Sequence, residues 1–320
     1  MVHLRIVAPE SRADEAMDVL CGTDSVLNVI RLDARSQRPD GVVIMCDVAR
    51  EDASVVIGDL KRLGIHEEGS ITLELIDTAI SDRADRAEKH AKGAPADAVV
   101  WEEVESKTEE QVELSGVFLA FMVLAGLIAT VGIYQDSPIL IVGAMVVGPE
   151  FGPIAGICVA LIQRRRELAL RSGVALALGF PLAIAATFTA TLIFKASGLA
   201  DPGFDQSEHT IANVISSPDF FTFFVAACAG AAGMLSLSTA KSGALIGVLI
   251  SVTTIPAAAN IGVTAAYGDW DNFGGSAAQL AINLASILLA GSAVLTFQRV
   301  LYLRRLRRHE RELDNSSATP

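Results

Sequence analysis

SPILIVGAMVVGPEFGPIAGICVAL, residues 137–161, is apolar enough to cross a bilayer but is interrupted near its middle by GPEFGP (148–153). A spanning helix needs about 20 apolar residues. Proline has no N–H and frees the carbonyl four residues before it. Unsatisfied backbone groups cost several kcal/mol each in hydrocarbon, so a break survives only where protein, water or a ligand satisfies it. Glu150 lies about twelve residues into this span, close to mid-bilayer at a rise of about 1.5 Å per residue. A charge at that depth costs roughly 2.5–3.5 kcal/mol or more unless it is paired or hydrated. The expectation is that Glu150 lines a polar cavity and binds a proton, a cation or a substrate donor. Two plainer readings compete: a carboxylate capping the second half-helix, or a break lying nearer one surface.

Working outward, the rest of the chain fits a membrane setting. It has 320 residues, 51% hydrophobic, with a mean hydropathy of +0.45. Charged residues make up 19%, against about 25% in ordinary soluble domains, and they are concentrated before residue 115 and at the C-terminal end. Six spans are expected, at 115–134, 138–162, 169–194, 219–239, 242–267 and 276–300. Basic links face the cytoplasm. QRRRELALR (163–171), Lys241 and RVLYLRRLRRHER (299–311) therefore lie inside, while YQDS (134–137), DPGFDQSEH (201–209) and GDWDNFGG (268–275) lie outside. Six crossings of the plasma membrane with both termini cytoplasmic agree with every basic cluster. The opening residues lack the basic and apolar regions of an export signal, which also keeps the head inside.

Three spans followed by three raises the question of a repeat. With Gly143 laid over Gly247, LIVGAMVVGPEFGPIAGICVAL matches ALIGVLISVTTIPAAANIGVTA. Pro149 and Pro153 interrupt one string and Pro256 the other, and Gly156 stands opposite Asn260. An odd number of spans per half inverts the second half, and such transporters build their sites from broken helices near the midplane. Proline-kinked packing helices are the plainer reading. The expected substrate-binding set is Ser137, Gly148, Pro149, Glu150, Gly152 and Pro153 at the first break, with Thr253, Thr254, Pro256 and Asn260 at the second. Ser236, Ser238, Thr239, Gln279 and Asn283 are polar neighbours in the spans.

Residues 1–79 read as a soluble α+β head. HLRIVAP (3–9), SVLNVIRLDA (25–34), GVVIMCDVA (41–49) and GSITLELID (69–77) are strands, while ESRADEAMDVL (10–20) and EDASVVIGDLKRLG (51–64) are helices. The order strand, helix, strand, strand, helix, strand is that of the ferredoxin-like fold. An acidic helical connector follows at 80–114, interrupted by GAP (93–95), with Trp101 either a membrane-interface anchor or part of a solvated linker. The membrane part ends near 302, and 303–320 is a basic tail.

The net charge of −12 argues against nucleic acid as a partner. Cys21, Cys46, Cys158 and Cys228 are scattered and suggest no metal site. No HExxH, GxSxG or phosphate loop is present, so neither an enzyme nor a cofactor is expected. Transport or channelling of a small polar or ionic solute is the first functional expectation. A membrane-anchored sensor or scaffold, whose head binds a small metabolite, is the alternative. A homo-oligomer is expected, and small-residue stretches such as GAAG (230–233) and SGALIG (242–247) fit contacts between copies or, equally, internal helix contacts.

DSPILIVGAMVVGPEFGPIAGICVAL (136–161), with its basic link, closely resembles the signature of the bacterial and archaeal membrane family called domain of unknown function 389. The matching positions are Ser137, Pro138, Gly143, Met145, Gly148, Pro149, Gly152 and Pro153. VVWEE (99–103) and CDVAR (46–50) look like actinobacterial members. The resemblance implies a multi-pass protein with a small cytoplasmic N-terminal domain, and little about its chemistry.

Overall fold

The computed structural model describes residues 1–76, 78–91, 98–200, 209–239 and 253–317, with the backbone alone for residues 90 and 308–317. GAP (93–95), most of the acidic link 201–209, Lys241, Gly247, SGALIG (242–247) and the first half of the expected fifth span lie outside the described residues. The chain forms two compact units. One is Met1–Val104 with Ser238–Ala240 and Arg305–Pro320, and the other is Glu105–Leu237 with Lys241–Arg304.

The first unit is built on alternation. Strand β1 (Val2–Ala8) is followed by α1 (Glu10–Cys21), the strands β2 (Val26–Gln37) and β3 (Asp40–Val48), then α2 (Ala53–Arg62), the short α3 (Ile65–Glu68) and β4 (Ser70–Leu75). The strands form one sheet in the order β2-β3-β1-β4 with antiparallel neighbours. Residues two apart face the same side of a strand. Leu4 is therefore flanked by Cys46 and Leu73, and Ile6 by Ile44 and Ile71. Ala13, Ala16 and Leu20 of α1 and Val56 and Leu60 of α2 join the same buried cluster. Beyond β4 come α4 (Asp82–His90) and α5 (Trp101–Gln111).

The compact unit continues past residue 79 to Val104 because the connector contributes to it. Val100 is part of the head's core. Trp101 is only 6% exposed, and its backbone N–H donates to Ser54 Oγ at 3.0 Å. This corrects the interface-anchor reading of Trp101. The hydropathy pattern marked an apolar face but not what covers it.

In the second unit, α6 (Gly116–Tyr134), α9 (Arg166–Ser197), α11 (Phe220–Ser238) and the last helix are each long and apolar enough to cross a membrane. The pair α7 (Pro138–Val147) and α8 (Phe151–Gln163) passes that test jointly but bends by 52° at residues 148–150. The remaining helices are α10 (Thr210–Ser216), α12 (Thr254–Tyr267) and α13 (Trp270–Ser317). Among the described residues there are thus four spans, or five with the bent pair, where six were expected. The difference lies in the fifth: only α12 is described, and it is too short to cross alone.

Helices α6, α9 and α12 form the centre of this unit and pack on one another. Their C-terminal ends lie together. The Tyr134 and Tyr267 hydroxyls are 3.3 Å apart, and Lys195 Nζ donates to Ala266 O at 3.0 Å while lying over the Tyr267 ring. Halfway along, a Cβ at Gly262 would strike the Thr187 hydroxyl and stand 2.8 Å from Ile184 O, so glycine permits this close approach. The three helices therefore run parallel. In the same way Gly230, part of the stretch read as an oligomer contact, is spent internally, since a Cβ there would meet the Ile287 backbone at 2.7 Å. Exposed Phe220, Phe221, Phe223 and Phe224 gather at the start of α11, and exposed Trp270 stands at the start of α13. Aromatic side chains of this kind collect at a bilayer interface.

Candidate functional site

The first turns of α8 and α12 meet at Glu150. Glu150 immediately precedes α8 and is 2% exposed. Its Oε1 accepts a hydrogen bond from Thr254 Oγ1 at 2.7 Å, and Thr254 is the first residue of α12. Its Oε2 is buried with no hydrogen-bond partner among the described residues. The side chain makes no capping bond to α8, so the capping alternative is not what the geometry contains. Bare buried acceptors cost about 1–3 kcal/mol each, and more when charged.

Gly148 makes the junction possible. A Cβ there would strike the Glu150 carboxylate and stand 2.7 Å from Ile255 Cγ1. Pro149 fills the break itself, and its missing N–H leaves the carbonyl of Met145, in the last turn of α7, without its helical donor. The other two prolines lie in the first turns of helices. Pro153 is the third residue of α8 and Pro256 the third of α12. Proline suits a first turn, where N–H groups have no helical acceptor. These two residues start helices and do not interrupt them. Whether a helix precedes α12 falls on residues outside the description.

The expected site residues divide. Gly148, Pro149, Glu150, Thr253 and Thr254 come together at the junction, with Gly152, Pro153 and Pro256 in the two first turns. Ser137 does not join them: it opens α7 at the turn after α6, its N–H donating to Gly132 O at 2.9 Å. It stands a helix length, about 15 Å, from the break. Asn260 is also apart, about 9 Å further along α12, where its Nδ2 donates to Ser276 Oγ at 2.9 Å.

Helix α13 supplies what the sequence reading only partly anticipated. Ser276, Gln279, Asn283 and Ser286 are all buried and repeat at helical spacing on one face. Asn283 Nδ2 donates to Thr253 Oγ1 at 2.7 Å, and Gln279 Nε2 reaches Thr222 Oγ1 of α11 at 3.5 Å. Asn283 Oδ1 and Gln279 Oε1 are buried without partners among the described residues. Ser276 and Thr222 were missed, although the three- and four-residue spacing of polar residues in an apolar span signalled the face that holds Ser276. Ser236, Ser238 and Thr239 are buried at the opposite end of α11 from Thr222.

Elsewhere in this unit, Arg165 pairs with Glu105 and Glu109. A cavity of about 730 Å³ nearby is lined by Arg165, Arg171, Glu109, Glu113, Leu168 and Val174 among others. It includes none of the expected site residues. The head contains a further feature that no local pattern signals: buried Arg50 pairs with buried Glu103 at 2.8 Å and donates from Nε to Ala98 O at 3.1 Å. Among the described residues no group of three or more His, Cys, Asp or Glu side chains could hold a metal ion. Burial pushes the Cys46 thiol up to about 12, with Asp47 and Cys21 adding to the effect, which suits an inert core thiol.

Residues 145–289 match the model of the family described as domain of unknown function (DUF389). An uncharacterized protein of Methanocaldococcus jannaschii is 26% identical over 218 residues, covering 66% of this chain and 62% of that protein. No solved structure matches the chain. Both helix starts, the break between α7 and α8 and the polar face of α13 fall inside the segment that is similar to this family.

Proposed function

We propose that the protein transports or conducts a small polar or ionic solute, and that the solute binds where α8 and α12 begin. The observation carrying this reading is Glu150, a buried carboxylate with one oxygen bonded to Thr254 and the other bare. A group so costly to bury is usual in membrane proteins where it faces a path for ions or protons. Helix starts meeting inside an apolar body are the arrangement that discontinuous transporter helices use. The reading includes six crossings of the plasma membrane with both ends cytoplasmic, residues 242–267 providing the fifth. The parallel run of α6, α9 and α12 supports it, since first, third and fifth spans must point the same way. The two halves are read as an inverted repeat, and the protein as a homo-oligomer. The head is read as ferredoxin-like, supported by the strand order β2-β3-β1-β4, with a regulatory or oligomerising role.

Proton coupling through Glu150 gives the direct test. Full-length protein is reconstituted into liposomes loaded with a pH-sensitive dye, and a pH step is applied. Wild type is expected to dissipate the gradient faster than empty vesicles, Glu150→Gln to match the empty vesicles, and Thr254→Val to fall between. Identical rates for wild type and Glu150→Gln would refute the role of Glu150.

A further inference from the structure

Three buried oxygens lack donors among the described residues: Gln279 Oε1, Asn283 Oδ1 and Glu150 Oε2. Three separate hydrogen bonds, joined by one helical turn and one step along the chain, place their side chains in succession. Thr222 meets Gln279, Asn283 lies one turn further along α13 and meets Thr253, and the adjacent Thr254 meets Glu150. Each amide is anchored through its nitrogen, which leaves its carbonyl as the free end.

We infer that Thr222, Gln279, Asn283, Thr253, Thr254 and Glu150 form the binding track of a single dehydrated monovalent cation, sodium foremost, approaching Glu150 from the side where α11 and α13 begin. The inference rests on Glu150 as the solute site and names the class of ion it takes. The ligand set is oxygen only, which suits a hard cation and not a soft metal. Coordination by side-chain and freed backbone oxygens is how broken helices hold sodium. The buried part of the track carries one carboxylate, Glu150, which balances one positive charge, while the carboxylate of Asp219 accepts from Thr222 at the exposed outer end. A proton would satisfy Glu150 alone and leave both amide carbonyls bare. The unpartnered side-chain atoms of the track are all acceptors and Glu150 brings the negative charge, which favours a cation over an anion. Exposed Trp270 at the start of α13 fits an outer end of the track near the bilayer surface.

The test uses the purified full chain in choline chloride, with sodium chloride exchanged in at constant ionic strength. Thermal unfolding and binding of radioactive sodium are followed together. Wild type is expected to show a saturable rise in Tm and saturable sodium binding, with potassium weaker. Asn283→Leu and Gln279→Leu should each weaken sodium binding at least tenfold, and Glu150→Gln should abolish it. Ser286→Ala, whose hydroxyl bonds back to Ile282 O in its own helix and lies outside the track, should bind as wild type does. Should Asn283→Leu fail to fold, the cation comparison on wild type still decides. No saturable difference between sodium, potassium and choline overturns the inference, even if Glu150-dependent proton flux persists. Sodium binding without flux of any kind would overturn the transport reading and leave the ion site standing.

Discussion

Glu103 in the head and Glu150 in the membrane body are both buried glutamates beside a helix start, and they are treated in opposite ways. Glu103 faces a full positive charge on Arg50, itself locked by the Ala98 carbonyl. Glu150 faces a neutral hydroxyl and keeps an oxygen bare. A closed ion pair is a structural element. It fixes the connector's VVWEE string to the head and has nothing left to offer a ligand. A carboxylate with a free oxygen carries an unmet cost that the fold retains, and such a cost makes sense when another group meets it during function. Glu51, the next head residue after Arg50, goes further than Glu150: it is buried, and neither carboxylate oxygen has a partner among the described residues.

The largest effect expected from breaking this comparison is in the head. Arg50→Met leaves Glu103 buried against no charge, and removing one partner of a buried pair costs about 3–5 kcal/mol. Hydrogen exchange on the full chain should show β1 and α2 losing protection, with Arg50→Met/Glu103→Leu recovering much of it. Unchanged protection in the single variant would mean that Arg50 does not compensate Glu103. The smaller effect is at Glu51. Burial pushes its carboxyl above the usual range, with Glu88 and Asp52 adding to the shift. The folded chain therefore holds this proton more tightly than the unfolded chain does. Its contribution to stability is present below the ordinary value of 4.5 and is lost as pH rises through the higher folded value. Glu51→Gln should thus protect the head more than wild type at neutral pH, and the gain should vanish near pH 4.5. A gain that did not depend on pH would show that charge is not the cause.

These contrasts also explain what the sequence could convey. The head's strands were legible because apolar residues two apart, as at Leu4 and Ile6 or Ile44 and Cys46, leave one arrangement in which the strand buries its apolar side. The break at 148–150 was legible because Gly-Pro-Glu cannot continue a helix through hydrocarbon. Proline by itself is ambiguous: Pro181 lies inside the continuous α9, while Pro153 and Pro256 begin helices, and all three look alike as letters in an apolar string. Ser137 was drawn into the site because it belongs to the same signature, yet helical rise sets it about 15 Å away. The bonds from Asn283 to Thr253 and from Arg50 to Glu103 are long-range, and no local pattern names a partner 30 or 53 residues distant.

The most direct test compares the two glutamates in one tube. Full-length protein treated with an apolar carbodiimide, which attacks protonated carboxyls in apolar surroundings, is digested and its peptides weighed. Modification of Glu150, slowed by added sodium, with Glu103 untouched, is the predicted result. Glu150 as unreactive as Glu103 would contradict the account, because it would mean that the carboxylate in the membrane is as sealed as the one in the head.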